Sequence, residues 1–140
     1  VYAMTNFQVA FTMRLPETQQ SLIMTTLYGI PNCDTVKKAR LWLAGAQIDY
    51  TFSDFKKEPP TVALIECWLR DIPLDVLLNK RGTTWRALSD EQKQSAETQQ
   101  GAVALMVAQP SLIKRPVLAY QQHYHAGFQT DFYATLFHKE

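Results

Sequence analysis

Thr25-Thr26-Leu27-Tyr28-Gly29-Ile30-Pro31-Asn32-Cys33-Asp34-Thr35-Val36-Lys37-Lys38-Ala39-Arg40 is the stretch on which the reading of this chain turns. A short β-type run ends at Tyr28, and Gly29-Ile30-Pro31-Asn32 makes a turn. Cys33 then opens a segment in which Val36, Ala39, Trp42 and Leu43 recur at spacings of three and four, the period of a helix with one apolar face. Gly45 reads as the residue that closes this helix. A thiol at a helix start meets unpaired backbone N–H groups and the positive end of the helix dipole. That environment favours the thiolate, which is the reactive form of cysteine.

Ile48–Phe52 is β-rich and alternates, so strand, helix and strand follow one another closely. This is a βαβ unit, with parallel strands and a right-handed crossover. Pro59-Pro60 ends it. Thr61 starts a helix with Val62, Ile65, Trp68 and Leu69 on its apolar face, Pro73 stops that helix, and Leu74–Leu78 adds one more helical turn. Asn79–Thr84 reads as a polar loop with Gly82 at its turn. Ser89 and Gln92 make a capping box, and Ala102, Val103, Leu105 and Met106 carry a helical pattern up to Gln109-Pro110. The region from about 60 to 110 is therefore a helical insertion. Val117–Tyr120 and Tyr124–Phe128 read as two strands of an antiparallel hairpin, and Asp131–Lys139 as a closing helix carrying Phe132, Leu136 and Phe137. The order is βαβ, helical insertion, ββα: an α/β fold around one mixed four-stranded sheet.

The chain has 140 residues, 46% of them hydrophobic and 19% charged, a globular composition sized for one domain. Residues 24–140 read as that domain. Residues 1–23, with scattered apolar positions and a polar Glu-Thr-Gln-Gln-Ser run, read as an N-terminal extension ahead of a start at Met24. A formal net charge of +1 gives no field to recruit nucleic acid or an anionic membrane, and no basic reading helix is evident. No apolar run approaches membrane-spanning length. Two cysteines, Cys33 and Cys67, do not form a secreted disulfide framework, and a reducing cytoplasm suits an active-site thiol. No Cys/His cluster has zinc-ligand spacing.

Four pieces, Leu27–Arg40, Leu-Leu-Asn-Lys-Arg-Gly (77–82), Leu-Ile-Lys-Arg-Pro-Val-Leu (112–118) and Gly127-Phe128, resemble the arsenate-reductase-like (ArsC) group of the thioredoxin superfamily. That group includes the Spx-type regulators, and within it the chain is most similar to the YffB-like proteins. The resemblance implies a thioredoxin-like fold with a helical insertion. It implies that Cys33 is the nucleophile, that Arg115 faces the thiol as an anion-binding side chain, and that the peptide before Pro116 is cis. Lys80 or Arg81 would supply a further basic residue. Arsenate reductases carry His-Asn where this chain has Gly29 and Ile30, an arginine where it has Asn79, and a further arginine in the hairpin, where Gln121–Phe128 contains none. The arsenate-binding charge set is thus incomplete.

The partner position of a Cys-x-x-Cys pair is Val36, so a dithiol cycle within that motif is closed to this chain. Cys67 reads as a packing or incidental thiol, with an internal resolving thiol as the alternative. Asn32 and Thr35 flank Cys33 and are placed to cap the helix or hydrogen-bond the thiolate. Lys37 lies one turn on, where its charge would also favour thiolate. His123 and His125 read as exposed hairpin histidines. Two functions follow. One is a monothiol reductase with glutathione or another small thiol as co-substrate, a small oxidised or anionic substrate, and no permanently bound cofactor. The other is a Spx-like regulator that binds RNA polymerase or another protein.

Overall fold

The computed structural model describes residues 24–138; the extension read at 1–23 lies outside them. Strand β1 (Thr25–Gly29) leads through the Pro31 turn into helix α1 (Asp34–Gly45) and strand β2 (Thr51–Asp54). Short helices follow: α2 (Val62–Trp68), α3 (Leu74–Leu77), α4 (Thr83–Arg86), α5 (Asp90–Ser95) and α6 (Gln99–Ala108), then a 3-10 turn at Pro110–Leu112. Strands β3 (Val117–Tyr120) and β4 (His123–Ala126) and helix α7 (Thr130–Leu136) complete the order.

The four strands form one sheet in the order β2-β1-β3-β4. β1 runs parallel to β2, with Leu27 opposite Phe52, and antiparallel to β3, with Leu27 opposite Leu118. β3 and β4 pair as the antiparallel hairpin, with Leu118 opposite His125. This is the mixed sheet with βαβ, helical insertion and ββα that the sequence pattern predicts.

Alternation along the strands divides the interior in two. Leu27 and Leu118 point to one face, where Ala39 and Leu43 of α1 and Tyr133 and Phe137 of the C-terminal segment cover them. Tyr28 and Val117 point to the other, where Ile65, Trp68, Ala102 and Met106 of the insertion form the larger core. Because both faces are covered, β1 and β3 are buried in the middle of the molecule. The loops at their ends, which carry Cys33 and Arg115, are held from both sides.

Several boundaries differ from the pattern. The second strand begins at Thr51 rather than Ile48, because α1 ends in a Schellman turn that consumes the intervening residues. Ile48 N–H donates to Leu43 O at 3.0 Å and Gln47 N–H to Ala44 O at 3.0 Å. The left-handed residue of that turn is Gln47 (φ 59°), not Gly45, which is still helical. Asn79–Thr84 is not all loop, since Thr83 and Thr84 open α4. Val62 and Phe132, read as apolar-face residues, are exposed. Phe132 gives way to Tyr133, which lies with Phe137 on the buried side of the last helix. The capping box at Ser89 and Gln92 is formed as read.

Candidate active site

Cys33 is the N-cap residue of α1, with extended backbone angles, and no side chain caps the helix there. The sulfur itself stands where a Ser or Asp oxygen would. Asn32 is one residue outside the helix and exposed, and Thr35 is at its second position, so neither caps it. Cys33 is a free, half-buried thiol. Burial pushes its pKa up, but the Val36 N–H, the Arg115 guanidinium and the Thr35 N–H together outweigh that and hold it below the ordinary thiol value. Lys37 is exposed and is not among the groups that hold Cys33 down.

Gly29 allows this arrangement. A side chain begun there would meet Val36 Cγ2 at 2.9 Å, so only a glycine lets the first turn of α1 lie this close to the end of β1.

Arg115 reaches the site through a braced loop. Asn79 N–H donates to Leu112 O at 2.7 Å and Lys114 N–H to Leu77 O at 2.8 Å, which ties the end of α3 to the segment before β3. Arg115 Nη1 donates to Ser111 O at 2.8 Å and, less well, to Ile113 O at 3.4 Å. Its Nε is buried and has no hydrogen-bond partner among the described residues. The Arg115–Pro116 peptide is cis, and the buried Pro116 accepts at its carbonyl from Gly127 N–H at 2.8 Å. That bond fastens the loop after β4 beside the loop before β3.

Between these loops lies a cleft of about 550 Å³ lined by Thr35 and Arg115 together with Lys114, His125, Gln129 and Phe132, among others. Cys33 does not itself line the cleft; it is joined to it through Thr35 and Arg115, both of which act on its sulfur. Lys80 and Arg81 are not at this cleft. Lys80 stands over the Trp85 ring, 5.3 Å from its centroid, and borders a different depression with Ala96 and Glu97. Arg81 is exposed, and its N–H bonds the Asn79 side chain at 3.0 Å. The helix α4, unread in the sequence, supplies the tryptophan that draws Lys80 away.

The hairpin histidines separate. His123 is exposed and lies 3.6 Å from Asp71. His125 is half-buried, so it departs from the expectation of an exposed histidine. Burial lowers its pKa, with Asp71 opposing and His123 adding to the effect, and its Nε2 is buried without a partner among the described residues. The imidazole meets the Phe132 ring edge-on, with centroids 5.2 Å apart. Gln129 and His125 carried no sequence signal as cleft residues, because only the pairing of β3 with β4 brings them to Arg115; Lys114 is its neighbour in sequence. Among the described residues no group of three or more His, Cys, Asp or Glu could hold a metal, and no helix is long and apolar enough to cross a membrane.

A thiol at the start of α1, after β1, with an arginine before a cis-proline at the start of β3, defines a thioredoxin-like protein of the arsenate-reductase-like class. The model of the ArsC family matches residues 28–136, and the chain belongs to that family. It is 38% identical over 114 residues to an uncharacterized protein of Haemophilus influenzae, covering 81% of this chain and 99% of that one. A solved YffB protein matches with 41% identity and a TM-score of 0.76, over 80% of this chain and 97% of that one. An arsenate reductase (ArsC) related protein of Brucella melitensis matches with 42% identity and a TM-score of 0.64, over 82% and 95%. The global transcriptional regulator Spx of Listeria monocytogenes is 29% identical over 110 residues, 77% of this chain and 82% of that protein.

Proposed function

We propose that this protein is a monothiol reductase that uses glutathione as its reductant. The observation that carries the reading is the buried Arg115 Nε, without a partner among the described residues, on a guanidinium that favours the Cys33 thiolate. A buried donor left unpaired is costly, and an anion on or beside the sulfur relieves that cost. In the first step the Cys33 thiolate attacks one sulfur of an oxidised disulfide. A Cys33–S bond forms, the substrate S–S bond breaks, and the leaving thiolate takes a proton from water. A glutathione thiolate then attacks the mixed disulfide and releases Cys33, since Val36 occupies the position of a second motif cysteine. Arg115, with Lys114 beside it, suits the carboxylates of a glutathionyl group. Arsenate is a poorer substrate in this reading, because Gly29 and Asn79 stand where arsenate reductases place charged or hydrogen-bonding side chains, and Val36 leaves no room for a side chain at Gly29.

The test is mass spectrometry after incubation with glutathione disulfide, together with a coupled assay of disulfide reduction. A single glutathionyl adduct at Cys33, lost in Cys33→Ser, supports the reading; an unmodified Cys33 with no turnover refutes it.

The likeness to Spx supports a second reading, a regulator that docks on RNA polymerase or another protein. Co-purification of a stoichiometric polymerase complex that Cys33→Ser retains would favour it over the enzyme.

A further inference from the structure

The cleft beside Arg115 is larger than an oxyanion of a few atoms requires, and its mostly polar lining carries an apolar border on one side. Its volume of about 550 Å³ falls within the range, roughly 300–1,000 Å³, of pockets that take organic ligands. Five large apolar side chains are exposed among the described residues: Met24, Leu41, Val62, Val76 and Phe132. Two of them, Val76 on α3 and Phe132 on α7, border this one cleft, 42% and 45% exposed, and Ile72, Pro73 and Phe128 add to its apolar lining. Scattered exposed apolar residues carry no message, but two that meet at a cleft joined to a polarised thiol do. The Phe132 ring is braced edge-on by His125. Asp71, the one carboxylate among the described residues of the lining, is already engaged by the Tyr124 N–H at 2.9 Å and by His123. The lining therefore offers cations at Arg115 and Lys114 and apolar surface from α3 and α7.

We propose that the oxidised substrate is a mixed disulfide of glutathione with an apolar thiol, with Val76 and Phe132 as the specificity-determining side chains that receive the apolar group. This rests on the reading of Cys33 as a monothiol nucleophile given above. The Cys33 thiolate attacks the glutathionyl sulfur, the apolar thiolate departs and takes a proton from water, and Cys33 is left glutathionylated. A second glutathione thiolate then displaces Cys33 and yields glutathione disulfide. The net change is an exchange of one disulfide for another: the sulfur of the apolar group is reduced to a thiol, the sulfur of the incoming glutathione is oxidised in its place, and the glutathionyl sulfur of the substrate stays at the disulfide level throughout.

The experiment compares two probes on the full chain: the mixed disulfides of glutathione with 2-phenylethanethiol and with 2-mercaptoethanol. Second-order rates of Cys33 glutathionylation are each divided by the rate of the same probe with free glutathione, which removes the difference in leaving groups. The expected ratio favours the phenylethyl probe by about ten-fold or more, the discrimination an apolar pocket gives for a group of this size. Phe132→Ala and Val76→Ser bring the ratio toward one, and Phe132→Leu restores part of it. Leu41→Ala, an exposed position on α1 that is not among the cleft residues, leaves it unchanged. A ratio near one in the unaltered protein, or a preference that survives both cleft substitutions, overturns the inference while leaving the monothiol reading intact. Failure of both probes to modify Cys33 overturns that reading and this inference together.

Discussion

Arg115 and Cys33 come from loops at the ends of two adjacent antiparallel strands, β3 and β1, and the guanidinium of one favours the ionised sulfur of the other. The arginine is held for this task by the Ser111 carbonyl, 2.8 Å from Nη1, which leaves its buried Nε free. Removing the charge while keeping a polar side chain isolates its effect.

The inflection of iodoacetamide alkylation against pH is expected below the ordinary thiol value of about 8.5 in the unaltered protein and higher in Arg115→Gln. The sign for stability follows from the same shift. A depressed folded-state pKa contributes stability that is present above the unfolded pKa and is lost as pH falls through the folded pKa. Chemical denaturation should therefore show the difference between native protein and Arg115→Gln grow from pH 6 to pH 9. An inflection unmoved by the substitution would separate Arg115 from the thiol.

Gly29→Ala sets a methyl against Val36 Cγ2, in a contact of 2.9 Å, at the junction that fixes the Cys33 N-cap. Overpacking of this kind costs about 1–3 kcal/mol, and here it also displaces the N–H of Val36 from the sulfur. Reduced stability with a raised alkylation inflection is expected, and Val36→Ala in the same chain should relieve both. Destabilisation without any change in the thiol would assign Gly29 to packing alone.

Trp68 is fully buried between Tyr28 and Phe55, with ring centroids 5.1 and 6.1 Å away. Trp68→Ala should cost about 3–5 kcal/mol in urea denaturation. Tyr133 is equally buried, but its hydroxyl has no partner among the described residues, so Tyr133→Phe removes an unsatisfied polar atom and should be neutral or stabilising by about 1 kcal/mol. A loss of more than about 1 kcal/mol in Tyr133→Phe would reveal a hydrogen bond to that hydroxyl.

His125 is kept neutral chiefly by burial. Its folded pKa lies below the unfolded value, so the unfolded chain takes up the proton first as pH falls. Stability should decline from about pH 7 downward until the folded pKa is passed. His125→Leu should flatten that slope while Asp71 and His123, the charges near it, are unchanged. Matching slopes for the two proteins between pH 7 and 5 would place the imidazole in water.

Gly101 lies on α6 where a Cβ would collide with the Ser95 backbone carbonyl. Backbone cannot yield as a flexible side chain can, so Gly101→Ala should lower thermal stability although alanine is the better helix former. A rise in melting temperature would show that α5 and α6 can separate at little cost.

The periods of three, four and two along the chain were enough to order the elements and to place Cys33 between a strand and a helix, because local sterics and one-sided burial write those patterns directly. Side-chain roles drawn from neighbourhood in sequence were less secure. Asn32, read as capping the helix or bonding the thiolate, is exposed and outside the helix, whose N-cap is Cys33, and Lys37 stands one turn away yet is exposed. Phe132 shared a helical face on paper with Phe137, but the true buried face passes through Tyr133, one residue along.

The chain by itself thus determined the thiol, its place at the head of α1, the lack of a second motif cysteine, and the alternation that covers both faces of the sheet. The family resemblance implies that Arg115 faces Cys33, but only the tertiary structure decided that Lys80 turns to Trp85 instead of joining them, and that Gln129, His125 and Phe132 close one cleft beside Arg115. The contacts around the cleft link residues far apart in sequence through the pairing of β1 with β3 and of β3 with β4. Local periodicity carries no record of which distant loop a sheet will bring alongside, whereas strand register fixes it to within a residue.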